Sequence, residues 1–169
     1  MVFEVKKMTI QEIKIYLKKH FFLVFRYNSK YYTLKRSQSL FSPKYSLIAT
    51  DALPHCKNSL EELCEQVYMS NGTLLIEAIK HIEIPGWDDF SWKTYEAVRH
   101  SAIVHRNEIH FLYKQRNYWI SHTHDGLSHL SDDFGNTQDF NSCRDLFEEA
   151  RIDDNTLEDI WQHVIVDAC

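Results

Sequence analysis

Four segments in the first half of the sequence recur in the same order in its second half. The paired segments lie 82 to 86 residues apart. An internal repeat constrains the fold more than any local motif, because each copy must form the same supersecondary unit. The pairs are Thr9–Tyr16 with Ser91–Val98, Phe21–Arg36 with Asn107–His122, Ser59–Val67 with Ser142–Ala150, and Asn71–Ile84 with Arg151–Val166.

The second pair of segments predicts a β-hairpin in each copy. Both segments alternate apolar and polar residues, and a short polar turn, Asn28-Ser29 or Lys114-Gln115, interrupts each of them. Alternation on both sides of a two-residue turn is typical of a hairpin. We expect a third strand over Tyr45–Thr50 in the first copy and near Leu127–Ser131 in the second.

The other three pairs predict helices, because their apolar residues recur every three or four positions and so share one helical face. The last pair predicts an amphipathic helix over Arg151–Val166 that buries Trp161, with a matching helix over Asn71–Ile84. Each segment of the first and third pairs begins with a hydroxyl residue that can cap a helix. In the segment Thr9–Tyr16, Glu12 completes a capping box. The hydroxyl residues are Thr9, Ser91, Ser59 and Ser142.

The predicted fold is α+β, with two tandem α-β-β-β-α-α repeats over about residues 8–84 and 90–169. One three-stranded sheet with a few short helices buries little apolar surface, so the copies are expected to share a core. We therefore predict a single compact domain over residues 1–169, with antiparallel sheet, helices packed on it and pseudo-twofold symmetry. Pro85 and Gly86 mark the boundary between the copies.

Charge is divided unevenly along the chain. Residues 1–50 hold 10 Lys and Arg against 2 Asp and Glu, a net charge of +8, and residues 51–169 carry −13. Residues 131–169 alone hold 11 acids against 2 arginines, a net charge of −9. Such an imbalance affects the choice of partner and the rate of encounter more than the fold.

The acidic last third is therefore the predicted binding surface, suited to a basic protein partner. A solvated helix face explains some of these acids, and Glu158 and Asp159 also favour the start of their helix through its dipole. These roles do not account for a net charge of −9 in residues 131–169. The candidate partner-binding residues are Asp132, Asp133, Glu148, Glu149, Asp153, Asp154, Glu158 and Asp159.

Common catalytic and cofactor motifs are absent from the sequence. The four glycines are isolated, which excludes the phosphate-binding G-x-x-x-x-G-K-[ST] and G-x-G-x-x-G loops. The sequence also lacks G-x-S-x-G, H-E-x-x-H and C-x-x-C. We therefore expect a protein that is not an enzyme and that has neither catalytic residues, nor a cofactor, nor a metal site.

A histidine-rich hairpin supports an alternative interpretation of the function, in which the chain is an enzyme or a metal-binding protein. A turn at Lys114-Gln115 would place His105 opposite His124, with His122 on the same sheet face. Three imidazoles on one face can hold zinc or transfer protons. The other interpretation is that these are edge-strand histidines in a chain that contains ten.

The first hairpin interleaves cationic and aromatic side chains, a combination found in proteins that bind nucleic acid. The remainder of the chain is acidic and would repel a phosphate backbone. We therefore expect no nucleic-acid partner and interpret the pattern as a hairpin with one buried and one solvated face. The residues are Arg26, Tyr27, Lys30, Tyr31, Tyr32, Lys35 and Arg36.

The sequence indicates a soluble cytoplasmic protein. No run of about 18 apolar residues is present, so no membrane span is expected, and the first residues lack the apolar core of a secretory signal. The four cysteines form no C-x-x-C pair, and we interpret them as reduced thiols.

The second copy resembles small bacterial immunity proteins encoded beside toxins of contact-dependent growth inhibition and related polymorphic toxin systems. The resemblance implies no enzymatic activity; it implies binding and blocking of one cognate toxin, of which many are nucleases with basic clefts. A regulatory protein-binding module without a toxin is the third interpretation. The residues that carry the resemblance are Phe140, Ser142, Leu146, Ile152, Asp153, Leu157 and Trp161.

Overall fold

The computed structural model describes residues 5–39, 41–84 and 94–168 and shows a mixed α+β chain. The chain divides into two compact units, Met1–Ser91 (unit 1) and Trp92–Cys169 (unit 2). The predicted α+β class with antiparallel sheets is confirmed. That residues 1–169 behave as a single domain stays a prediction.

Unit 1 is built on a six-stranded antiparallel sheet of order β1-β6-β2-β3-β4-β5. Its elements are β1 (Val5–Lys6), α1 (Ile10–His20), β2 (Phe22–Tyr27), β3 (Lys30–Arg36), β4 (Tyr45–Ala49), β5 (His55–Lys57), α2 (Leu60–Gln66), α3 (Leu75–Ala78), a 3₁₀ turn (Ile79–His81) and β6 (Ile82–Glu83).

Unit 2 contains a five-stranded antiparallel sheet of order β10-β9-β8-β7-β13 and a separate two-stranded hairpin, β11-β12. Its elements are α4 (Tyr95–His105), β7 (Ile109–Tyr113), β8 (Arg116–His122), β9 (Ser128–Asp132), β10 (Thr137–Phe140), α5 (Cys143–Glu149), β11 (Arg151–Ile152), β12 (Asn155–Thr156), α6 (Leu157–Ile160), a 3₁₀ turn (Trp161–His163) and β13 (Ile165–Ala168).

Both predicted hairpins are confirmed with the expected register. Phe25 pairs with Tyr32 in unit 1, and Phe111 pairs with Tyr118 in unit 2. Each turn has positive φ at both central residues, 50° and 63° at Asn28-Ser29 and 48° and 64° at Lys114-Gln115. Tight hairpin turns of the primed type need this conformation, because their twist matches that of the strands. The third strands, β4 and β9, also lie where the sequence placed them.

The helix caps follow the predicted chemistry with one shift. Thr9 and Glu12 form the expected capping box at the start of α1. The hydroxyls of Ser59 and Ser142 accept the backbone N–H three residues later and so begin α2 and α5. The cap of α4 is Thr94, whereas the predicted cap, Ser91, lies outside the described residues.

The helix predicted over Arg151–Val166 is wrong in extent. Asp153 and Asp154 have φ values of 49° and 64° and form the turn between β11 and β12. Aspartate tolerates this left-handed conformation well, and a helix cannot pass through it. The helix therefore begins only after Thr156, which caps it with Asp159.

The end of the same segment also departs from a helix. After one turn of α6 and the 3₁₀ turn, the β-branched run around Val166 pairs with β7 as strand β13. In unit 1 the helix predicted over Asn71–Ile84 is likewise only α3 and a 3₁₀ turn, followed by β6. Pairing with a distant strand here overrides the helical period of the apolar residues. Strands β5 and β10 were not predicted either.

Each unit has its own hydrophobic core between one face of its sheet and its helices. In unit 2 the Trp161 indole is buried, with 7% of its surface exposed, and its ring lies 5.5 Å from Phe111 and 5.6 Å from Tyr95. The predicted burial of Trp161 against the sheet is confirmed, because Phe111 belongs to β7. None of the helices described for residues 5–39, 41–84 and 94–168 is long and apolar enough to cross a membrane.

Candidate interaction surface of unit 2

One end of the unit 2 sheet brings several of the predicted acids together with two cations. The tight turn after β7 contains Lys114, and Arg116 begins β8 directly after this turn. Lys114 Nζ lies 2.9 Å from Asp153 Oδ2, and Arg116 Nη1 lies 3.5 Å from Asp132 Oδ2. We call this end of unit 2, with the loop 132–136 and the turn 153–154, the hairpin-tip surface.

Asp132 organises the loop that connects β9 to β10. Its Oδ1 accepts the backbone N–H of Phe134 at 3.0 Å and of Asn136 at 2.9 Å, and its Oδ2 accepts the Asn136 side-chain amide at 2.8 Å. These bonds, above all those from Asn136, hold the pKa of the Asp132 carboxyl below its usual value. The structure therefore places this acid inside the loop, with 9% of the residue exposed.

Four more of the predicted acids also interact within unit 2. Asp133 accepts the backbone and side-chain N–H groups of Asn117, both at 3.2 Å, and Asp153 pairs with Lys114. Glu148 lies 4.0 Å from Arg99. Asp159 completes the capping box of α6, and the hydrogen bond from Thr156 lowers the pKa of the Asp159 carboxyl.

The other three predicted acids are exposed and free to meet a partner. Within the described ranges no side chain or backbone N–H binds the carboxylates of Glu149, Asp154 and Glu158. Glu149 ends α5, Asp154 lies in the turn between β11 and β12, and Glu158 lies in the first turn of α6. Binding to these residues breaks no internal contact, so they are the acids best suited to a partner.

The histidines of the alternative interpretation lie in three different settings. His105 is the last residue of α4, so the strand position predicted for it is wrong. His122 ends β8, and His124 lies in the turn that follows. In the part of the chain that the structure describes, no three His, Cys, Asp or Glu side chains are grouped so that they could hold a metal ion.

His122 instead forms part of a half-buried polar chain. Its Nε2 lies 3.2 Å from the carbonyl oxygen of Asn107, and its Nδ1 lies 2.9 Å from Ser128 Oγ. A carbonyl only accepts, so Nε2 carries the proton and the Ser128 hydroxyl donates to Nδ1. Ser128 also bonds the Cys143 thiol, whose pKa burial raises to about 12.

This arrangement of serine, histidine and cysteine does not present a nucleophile to a substrate. Ser128 is fully buried, and Cys143 is 7% exposed. Burial also lowers the pKa of the His122 imidazole, so that it stays neutral near pH 7. A neutral histidine satisfies the buried hydroxyl, and the chain of bonds therefore stabilises the junction of β8, β9 and α5.

Three of the cationic and aromatic residues of the first hairpin have structural roles. Tyr31 and Tyr32 are buried, and the Tyr32 hydroxyl bonds Ser70 Oγ at 2.5 Å. Arg26 Nε lies 2.5 Å from Glu83 Oε2 on the adjacent strand. Base stacking requires exposed aromatic faces, and two of the three tyrosines do not offer them.

An exposed aromatic residue of the hairpin-tip surface was not predicted from the sequence. Phe134 is 72% exposed, and the Arg116 guanidinium lies 4.5 Å from the centre of its ring. The signal in the sequence is a phenylalanine inside a run of turn residues, "DDFGN". Aspartate, glycine and asparagine favour a loop, which leaves an aromatic residue at that position without a strand or helix to bury it.

Comparisons with protein-family models, with curated proteins and with solved structures find no significant match to this chain.

Proposed function

We propose that this chain is a cytoplasmic immunity protein that binds and neutralises a cognate bacterial toxin through the acidic surface of unit 2. The observation that carries the proposal is the set of exposed carboxylates at Glu149, Asp154 and Glu158, which have no internal partner among the described residues. They lie in a segment, residues 131–169, of net charge −9. The sequence resemblance of the second copy to immunity proteins supports the same function.

The physical basis is electrostatic complementarity. A nuclease toxin must bind a phosphate backbone and therefore carries a basic cleft. An acidic protein surface attracts such a cleft over a distance of about 10 Å at moderate ionic strength and accelerates association. Occupation of the cleft excludes the nucleic acid, so inhibition requires no chemistry by the immunity protein. We propose a non-enzymatic role with a protein partner.

We also infer that units 1 and 2 are tandem copies of one ancestral unit. In both, one helix is followed by four strands, a second helix, a short helix, a 3₁₀ turn and a final strand, and unit 2 adds the hairpin β11-β12 before its short helix. The cap of the first helix is Thr9 in unit 1 and Thr94 in unit 2, 85 residues apart. The capping Ser59 and Ser142 are 83 residues apart. The predicted pseudo-twofold symmetry stays a prediction.

Cell rescue tests the proposed function directly. Bacteria that express the toxin domain encoded beside this gene should survive when the chain is co-expressed. Replacement of Asp154 and Glu158 by lysine should abolish protection at low expression, because both carboxylates are exposed and repulsion replaces attraction. The fold should persist, since neither side chain packs in the core.

The control reverses two exposed acids of unit 1, Glu65 and Glu77, of which Glu77 pairs with Lys80 at 2.8 Å. Both double variants change the net charge from −5 to −1, so a general charge effect would weaken protection equally. Protection lost only in the unit 2 variant supports the proposed surface. A wild-type chain that fails to rescue cells from this toxin contradicts the proposed function itself.

A further inference from the structure

Phe134 is an apolar side chain that the fold holds in solvent. The ring is 72% exposed, yet its loop is fixed by five hydrogen bonds at Asp132. The Asp132 carboxylate accepts from Phe134 and Asn136, the backbone N–H of Asp132 donates to the carbonyl of Asn136, and the N–H of Gly135 donates to the carbonyl of Asp132. Gly135 has φ of +85°, a conformation that only glycine adopts easily.

The Phe134 ring is also held from one side. The Arg116 guanidinium lies 4.5 Å from the ring centre, and its Nη1 lies 3.5 Å from Asp132 Oδ2. The carboxylate that fixes the loop therefore also positions the cation that stacks on the ring. An aromatic side chain fixed in this way loses little conformational entropy when a partner covers it. Rigid aromatic residues with a neighbouring arginine are typical of binding hot spots.

The surroundings of Phe134 indicate the chemistry of the partner. Burial raises the pKa of the Tyr118 hydroxyl, Arg116 lowers it, and the negative charges of Asp153 and Asp132 raise it further. Asp133 and Asp154 are exposed on the adjoining loop and turn. The hairpin-tip surface thus holds three exposed carboxylates, Asp133, Asp153 and Asp154, and the buried carboxylate of Asp132 against the cations Lys114 and Arg116. The charge around the apolar ring is therefore net negative.

We propose that Phe134 is the apolar anchor by which unit 2 docks onto a protein surface that offers an apolar pocket flanked by Lys or Arg. This inference rests on the proposed function, and it identifies the hairpin-tip surface as the part of unit 2 that enters the toxin. The net negative charge around the ring selects a basic protein rather than a nucleic acid, whose phosphates it repels. The ring supplies the burial that exposed charges alone do not, because surface ion pairs contribute little affinity.

Calorimetric titration of the purified chain with the toxin domain encoded beside the gene tests the anchor. Phe134→Ala should weaken binding by about 30-fold or more, the loss expected for a hot-spot residue. Phe134→Trp should retain most of the affinity, because it keeps an aromatic ring above Arg116. The matched control is Phe41→Ala, since Phe41 is 98% exposed and lies in unit 1. Melting curves should be the same for all three variants, because both side chains are exposed.

The outcomes separate the two proposals. If the wild-type chain binds and Phe134→Ala binds as tightly, the anchor is wrong while the immunity function stands. Equal weakening by Phe41→Ala and Phe134→Ala also contradicts a specific anchor. If the wild-type chain does not bind the toxin domain, both proposals fail. Weakening confined to Phe134→Ala, with recovery by tryptophan, supports the anchor.

Discussion

Replacement of Trp161 by alanine tests how unit 2 is held together. The indole is 7% exposed and lies within 5.5 Å of the Phe111 ring and 5.6 Å of the Tyr95 ring, measured between ring centres. Trp161 therefore joins the 3₁₀ turn to the sheet and to α4. Its truncation removes two aromatic contacts and leaves a cavity that the surrounding strands cannot fill.

The expected loss of unfolding free energy is about 3–5 kcal/mol, the usual range for a buried Trp or Phe truncated to Ala. For a chain of this size each kcal/mol corresponds to about 2–4 °C in Tm, so the melting temperature should fall by roughly 6–20 °C. Thermal melts followed by circular dichroism measure this change, with exposed Phe134→Ala as the control.

A Trp161→Ala variant that melts at the same temperature as the wild type would contradict this prediction. Such a variant would show that the indole contributes little to the core of unit 2. A loss of toxin binding without a change in Tm would further show that Trp161 contacts the partner. We predict the opposite pattern, in which any loss of binding accompanies a loss of the folded structure.

Three further perturbations test local parts of unit 2. Burial keeps the pKa of His122 below 6.5. The neutral imidazole should therefore contribute its full stabilisation above that pH, and this stabilisation should be lost as the pH falls through the lower pKa of the folded state. Denaturant titrations should show that the stability of His122→Gln depends less on acid pH than that of the wild type. Asp132→Ala should lower Tm more than Asp154→Ala, because only Asp132 accepts the hydrogen bonds that fix its loop. Thr156→Ala should cost about 1 kcal/mol in urea unfolding through loss of the α6 cap, and Thr156→Ser should restore it.

The hairpins and the capped helices could be predicted because their signals are local. The alternation around Asn28-Ser29 and the polar Lys114-Gln115 pair fixed turn position and register together. Ser59 and Ser142 each stand at the start of an apolar stripe, and a cap needs only residues within one turn. These features depend on neighbours in sequence, so no knowledge of the tertiary structure was needed.

The segment Arg151–Val166 could not be predicted in the same way, because competing local signals overlap in it. The apolar stripe that begins at Leu157 has a helical period, and those side chains are buried as expected. The turn at Asp153-Asp154 and the pairing of Val166 with Phe111 divide the segment into a hairpin, a short helix and a strand. The pairing of Val166 depends on a strand residue that lies 55 positions earlier in the sequence.

The sequence could predict which acidic residues belong to the candidate site, and it could not predict which side chains they contact. The acids were evident from the charge balance, but their partners are distant in sequence, as in the pair of Lys114 with Asp153. The sequence alone therefore could not separate acids that hold the fold, such as Asp132, from acids free to bind, such as Asp154. Phe134 could not be predicted as a site residue, because an isolated aromatic residue in a loop belongs to no periodic pattern.

Stopped-flow measurement of the rate of association with the proposed toxin partner, over a range of ionic strengths, tests whether the acidic surface of unit 2 binds that partner. We predict a large fall in the association rate constant between about 20 and 500 mM salt, with little change in the dissociation rate constant, because electrostatic steering by the acidic surface acts before contact. The Asp154→Lys, Glu158→Lys variant should associate more slowly and depend less on salt. An association rate independent of salt, or equal in wild type and variant, would contradict the claim that the acidic surface of unit 2 binds the toxin.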